Sequence, residues 1–142
     1  MPVKKIKRLL ETPYIVIDLF PMQVPSERAA QYLSVEDYLS QPQELKTFAE
    51  KIARITLKLS CYYDMEIYHE DERKDTETLA ELIKAVISVK KGALNILLAD
   101  TLMQIVGGDL YVTVYHADEA LKSLLQQLVT AEGLFLRKPT EV

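Results

Sequence analysis

The chain has 142 residues and a net charge of −4, with 49% hydrophobic and 27% charged residues. A chain of this size forms one domain, residues 1–142, and buries about 68–70% of its unfolded surface, so a core forms without disulfide or metal staples. The composition excludes intrinsic disorder, the acidic balance argues against general nucleic-acid binding, and no apolar run approaches the roughly 20 residues of a membrane span.

The N-terminal stretch MPVKKIKRLLETP is basic and lacks the apolar segment and cleavage site of a secretory leader. A cytoplasmic protein is therefore expected, with Lys4, Lys5, Lys7 and Arg8 on a solvated terminus. Tyr14 to Phe20, YIVIDLF, is β-branched and apolar and gives way to Pro21 and Pro25. A strand is predicted there, with Ile15, Ile17 and Leu19 on one face and Tyr14, Val16 and Asp18 on the other. Met22 to Gln31 reads as a connecting loop, and Ser34 as the cap of a short turn through Asp37 to Leu39.

Ser40 and Gln43 have the spacing of a capping box, and Pro42 suits a first helical turn. Leu45, Phe48, Ile52, Ile55 and Leu59 follow at spacings of three and four. They predict an amphipathic helix, which a Glu50 to Arg54 pair supports by about 0.3 kcal/mol. Cys61 is the single cysteine; without a CxxC partner it is expected as a small buried residue at the helix end. Tyr62 to His69 alternates, with Tyr63, Met65, Ile67 and His69 facing one way and Tyr62, Asp64, Glu66 and Tyr68 the other. That is a second strand, and the charged run Glu70 to Asp75 after it is a solvated turn.

The spacing of Thr78 and Glu81, the stripe Leu79, Leu82, Ile83 and Val86, and the stop at Lys90, Lys91 and Gly92 predict a helix from Thr76 to Lys90. Ala93 to Asp100, ALNILLAD, is apolar almost throughout, and periodicity assigns it to neither strand nor helix. Thr101 to Val106 and Leu110 to His116 flank Gly107, Gly108 and Asp109, a hairpin signature. Leu110, Val112, Val114 and His116 share a face opposite Tyr111, Thr113 and Tyr115. Asp118 then caps a helix with the stripe Leu121, Leu124, Leu125 and Leu128, Gly133 ends it, and LFLRK returns as a last strand. The fold class that follows is α+β: a two-layer sandwich whose antiparallel or mixed sheet of about five strands carries helices on one face, ferredoxin-like in its closing part.

The segments IDLFPMQVP (Ile17 to Pro25) and KLSCYYDM (Lys58 to Met65), the strand YVTVY and the ending AEGLF (Ala131 to Phe135) are similar to a family of small uncharacterised bacterial proteins of about this length. The resemblance covers most of the chain. It implies no known activity and supplies no catalytic residues.

Together the outward strand faces form a tyrosine-rich, acidic surface: Tyr14, Tyr62, Asp64, Glu66, Tyr68, Tyr111, Thr113 and Tyr115, with Arg137 on the last strand. Tyrosine offers a large contact area with a polar tip, which suits an interaction surface, although tyrosine and threonine are equally normal on a half-exposed sheet face. Asp64 and Glu66 lie about 7 Å apart along a strand, and with Asp18 they would give three oxygens for Mg²⁺ or Ca²⁺; no metal motif supports that set. His69 and His116 sit at strand ends, where a structural role outweighs a His–carboxylate acid–base pair with Asp71 or Asp118. Gly107–Gly108 lacks the third glycine and following helix of a phosphate loop. No cofactor is indicated. The expected function is a non-enzymatic interaction module with a protein partner or a second copy of itself, without nucleic acid or membrane. The alternative is a small enzyme or ligand-binding domain using Asp18, Asp64, Glu66 and a histidine.

Overall fold

A computed structural model describes residues 2–70, 72–74, 81, 84–86, 92–107 and 109–139. Its frame is an antiparallel sheet built from β1 (Tyr14–Asp18), β2 (Met65–His69), β3 (Glu72–Lys74), β4 (Ala93–Leu98), β5 (Thr101–Val106), β6 (Tyr111–Tyr115) and β7 (Phe135–Arg137). The strands lie in the order β3-β2-β4-β5-β6-β1-β7. The sheet thus has seven strands where about five were expected. Part of the excess is β3, which the charge of Glu72, Arg73 and Lys74 disguises as a turn and which pairs with β2 through Ile67↔Lys74 to His69↔Glu72. Such a short, charged strand is what a sheet edge tolerates.

The apolar run from Ala93 to Asp100 is a strand and a turn. β4 pairs with β5 from Ala93↔Val106 to Leu98↔Thr101, around a two-residue connection in which Ala99 has φ 55°. Its apolar monotony has a physical cause, since Leu94 to Leu98 are all buried and a strand covered on both faces loses its alternation. The hairpin of β5 and β6 forms as expected, with Leu102↔Tyr115 to Ile105↔Val112 in register; Gly108 in its turn lies outside the described residues.

On one face lie α3 (Pro42–Leu59) and α4 (Glu119–Ala131). Phe48, Ile52, Ile55 and Leu59 from α3 join Leu121, Leu125 and Val129 from α4 in one core cluster with Ile17, Leu94, Ile96, Met103 and Val112 of the sheet. Burying such a side chain contributes about 1.5–3 kcal/mol, so this cluster is the main source of stability. Arg54 ties the two helices together, donating from Nε and Nη2 to Oε1 of Glu132 at 2.9 and 2.8 Å. Asp118 Oδ1 accepts the Leu121 N–H at 2.8 Å, the expected cap of α4. At its other end Gly133 (φ 74°) donates to Thr130 and Leu134 donates to Val129, a Schellman turn sealed by the buried pair Val129 and Leu134.

Several local expectations give way. Ser40 closes α2 (Ala29–Leu39), and Gln41 precedes α3 without a side-chain cap, so the Ser40/Gln43 capping box does not form; Pro42 does occupy the first turn. Ser34 does not cap a helix either: its hydroxyl donates to the Ala30 carbonyl inside α2, which begins where a loop was expected. Cys61 is exposed, not buried, because it follows α3 on the turn that leaves the core. The predicted helix from Thr76 to Lys90 lies largely outside the described residues, but Glu81 and residues 84–86 are helical and Val86 is buried in the main core.

The larger departure is α1 (Pro2–Leu9), where the basic residues predict a solvated terminus. It packs on the opposite sheet face, where Ile6 and Leu9 join Tyr68, Leu97 and Leu102 in a second buried cluster flanked by Tyr115. Helices therefore cover both faces of the sheet. Lys5 anchors this helix by donating to the Ala99 carbonyl at 2.7 Å, with Asp100 at 3.6 Å.

Candidate functional site

Cross-strand register places Glu66, Leu97, Leu102, Tyr115 and Tyr14 in one row across the second face. α1 lies over that row, and this divides the tyrosine-rich surface expected from alternation. Tyr68, 4% exposed, is part of the α1 cluster and donates its hydroxyl to Glu66 at 2.8 Å. That hydrogen bond, with burial second, raises its pKa above the phenol value. Tyr115 packs against the same cluster and meets Tyr14 with ring centroids 5.3 Å apart. Tyr62 and Asp64 precede β2 on the turn after α3, so they do not extend the strand face. Tyr68 and Tyr115 are thus structural, and the eight residues do not form one continuous open surface.

What stays open lies at the β6-β1-β7 end. Tyr111 stands opposite Asp18, and Asp18 opposite Phe135; both aromatic residues are exposed. Burial, and then Asp109, raises the Tyr111 hydroxyl. Thr113 is half-buried two pairs inward, between Gln104 and Val16. Asp18 receives Arg137 Nε and Nη2 on Oδ2 at 3.0 and 2.8 Å. Arg137 on the last strand is therefore paired with the carboxylate of the first.

The metal set of Asp18, Asp64 and Glu66 does not assemble. Four strand steps separate β1 from β2. At about 4.8 Å per step, Asp18 stands roughly 19 Å from Glu66, beyond any shared ion. Among the described residues, no group of three or more His, Cys, Asp or Glu is placed to hold a metal. Nor does an acid–base pair form from His116 and Asp118: the His116 Nδ1 lies 2.9 Å from the Asp100 carbonyl, and Asp118 is spent on the helix cap. Asp71, the carboxylate suggested for His69, lies outside the described residues.

The feature that sequence patterning missed is α2 with the loop before it. Arg137 and Asp18 line a cavity of about 240 Å³ with Phe20, Met22, Ala29 and Tyr32. The Phe20 and Tyr32 rings meet at a tilt of 54° with centroids 5.7 Å apart, and burial, followed by Glu36, raises the Tyr32 hydroxyl. Tyr32, Glu36 and Leu39 are its half-buried side, yet the 11-residue helix has no fully buried residue. Its outer side shows Leu33 at 56% and Tyr38 at 61% exposure, and Met22 in the preceding loop reaches 70%. The signal in the sequence is faint because the apolar residues of AAQYLSVEDYL follow no single period.

Among the described residues no helix is long and apolar enough to cross a membrane. No family model, curated protein or solved structure matches the chain.

Proposed function

We propose that the protein is a non-enzymatic interaction module that self-associates through α2. The observation that carries this reading is an 11-residue helix with no buried residue, whose Leu33, Val35 and Tyr38 are exposed. Isolated helices shorter than about 12–15 residues are marginal in water, so a helix this short gains from a second surface. Exposed apolar side chains grouped on one element mark such surfaces.

A second copy fits as the occupant, because one exposed apolar element can serve both sides of an interface. In a two-fold interface residue i meets j and j meets i. Two antiparallel copies of α2 crossing at the exposed Leu33 therefore set that side chain against Leu33 of the partner subunit. The interaction surface accordingly shifts from the tyrosines of the sheet to α2, with Met22 beside it.

Sedimentation equilibrium tests this reading. The wild type is expected to dimerise, and Leu33→Glu to be a folded monomer, since that side chain belongs to no core cluster. Ala30→Glu, one turn before Leu33 on the same side of α2 and likewise exposed, is expected to weaken the dimer as well. A monomeric wild type, or a Leu33→Glu variant that dimerises as the wild type does, overturns the proposal.

A further inference from the structure

The side of the sheet end away from α2 carries a groove of about 720 Å³, within the range of small-molecule sites. Its walls come from the strand entry at Pro13 to Ile15, the end of β6 at Val114 and His116, the start of α4 at Ala117 and Lys122, and the tail at Lys138 and Pro139. Pro13, Ile15, Val114, Ala117 and Pro139 make it largely apolar. The polar side chains on the lining are Glu11, Thr12, Tyr14, His116, Lys122 and Lys138, among which the cations outnumber the single carboxylate. Lys122 has only a long contact with the exposed Glu119, at 3.5 Å, and among the described residues the Lys138 ammonium pairs with no carboxylate. Glu11 supplies the opposing charge on the lining. Two lysines against one carboxylate make this a locally positive groove on a chain of net charge −4.

His116 is the most constrained residue of the groove. Its backbone sits at φ 63°, a region uncommon for residues other than glycine, and its surroundings hold it there. Three contacts do so: its N–H donates to the Pro13 carbonyl at 3.0 Å, its carbonyl accepts from Thr101 Oγ1 at 3.1 Å, and Nδ1 meets the Asp100 carbonyl at 2.9 Å. A carbonyl only accepts, so the proton is assigned to Nδ1. Nε2 then has no partner among the described residues and is free to receive a hydrogen bond.

We infer that this groove binds a small organic anion with an apolar body, a carboxylate whose head meets Lys122 and Lys138 while its hydrocarbon lies on Ile15, Val114 and Ala117. An apolar wall with a few convergent polar groups is the general plan of such sites, and the local charge selects the head group.

Three probes that share a naphthalene body test it: 2-naphthoate, 2-naphthylmethylamine and 2-naphthalenemethanol, each titrated into the full chain and followed by amide NMR shifts. Saturable shifts at Ile15, Val114, His116 and Ala117 are expected with the carboxylate, and weaker or no shifts with the amine. Lys122→Glu combined with Lys138→Glu, at exposed or half-exposed positions, is expected to weaken the carboxylate at least about tenfold, a loss of about 1.4 kcal/mol. Ala117→Trp is expected to abolish binding by filling the groove, with amide dispersion reporting that the variant stays folded. Equal binding of all three probes, shifts confined to α2, or full affinity in the double lysine variant overturns the inference.

Discussion

Truncating Leu9 to alanine tests whether α1 is part of the fold. The residue is 2% exposed, and its cluster contains Leu102, which is fully buried in the central strand β5. Leucine-to-alanine changes in cores cost about 2–5 kcal/mol, depending on how far the gap collapses. Leu102 has neighbours on both sides in register, Leu97 and Tyr115, that cannot move without breaking the sheet, so about 3–4 kcal/mol is expected for Leu102→Ala. Leu9 rides on an eight-residue helix that can settle into the space, and about 2 kcal/mol is expected. Because both changes empty one shared volume, the double variant should fall short of the sum by about 1 kcal/mol. Urea denaturation followed by circular dichroism measures all three. A Leu9→Ala variant within about 0.5 kcal/mol of wild type would refute the docking of α1.

The Tyr68 hydroxyl, hydrogen-bonded to Glu66 and buried, has a folded-state pKa above its unfolded value. Its contribution is therefore complete below about pH 10 and lost as pH rises through the folded pKa. Denaturation from pH 8 to 11 should show falling stability, less steep in Tyr68→Phe; an unchanged slope excludes Tyr68 as a source. Gly133 has φ 74°, and a Cβ built there meets nothing within 4 Å, so Gly133→Ala isolates the backbone cost of the left-handed turn. A loss of about 1 kcal/mol in thermal or urea unfolding is expected, and no loss would show that the Schellman turn relaxes without penalty.

Long elements with one dominant period were readable in advance. α3 announced itself through Phe48, Ile52, Ile55 and Leu59, and α4 through Asp118, Leu121, Leu125 and Gly133. α1 was not read, although Val3, Ile6 and Leu9 recur at spacing three, because four basic residues between and around them outweigh so short a stripe. The division of the tyrosine face followed from that omission, since alternation reports which side a residue faces and not what covers that side. β3 was hidden by its charge, as edge strands often are. For the candidate site, the type of His116 suggested chemistry, but its left-handed backbone arises from contacts with Pro13, Asp100 and Thr101 on other segments. No local pattern encodes those contacts.

The seat of β1 between β6 and β7 has a consequence for assembly. Tyr14 finds Tyr115, and Val16 finds Arg137, roughly a hundred or more residues later in the chain. During synthesis, at about 5–20 residues per second, β1 must wait unpaired for several seconds while the β2-β4-β5 meander can already close locally. Distant pairings are the slow ones, because their loop entropy is lost before contacts compensate it. The YIVID segment is then the stretch with most need of protection on a nascent chain, and insertion of β1 into its slot is the expected last event of folding.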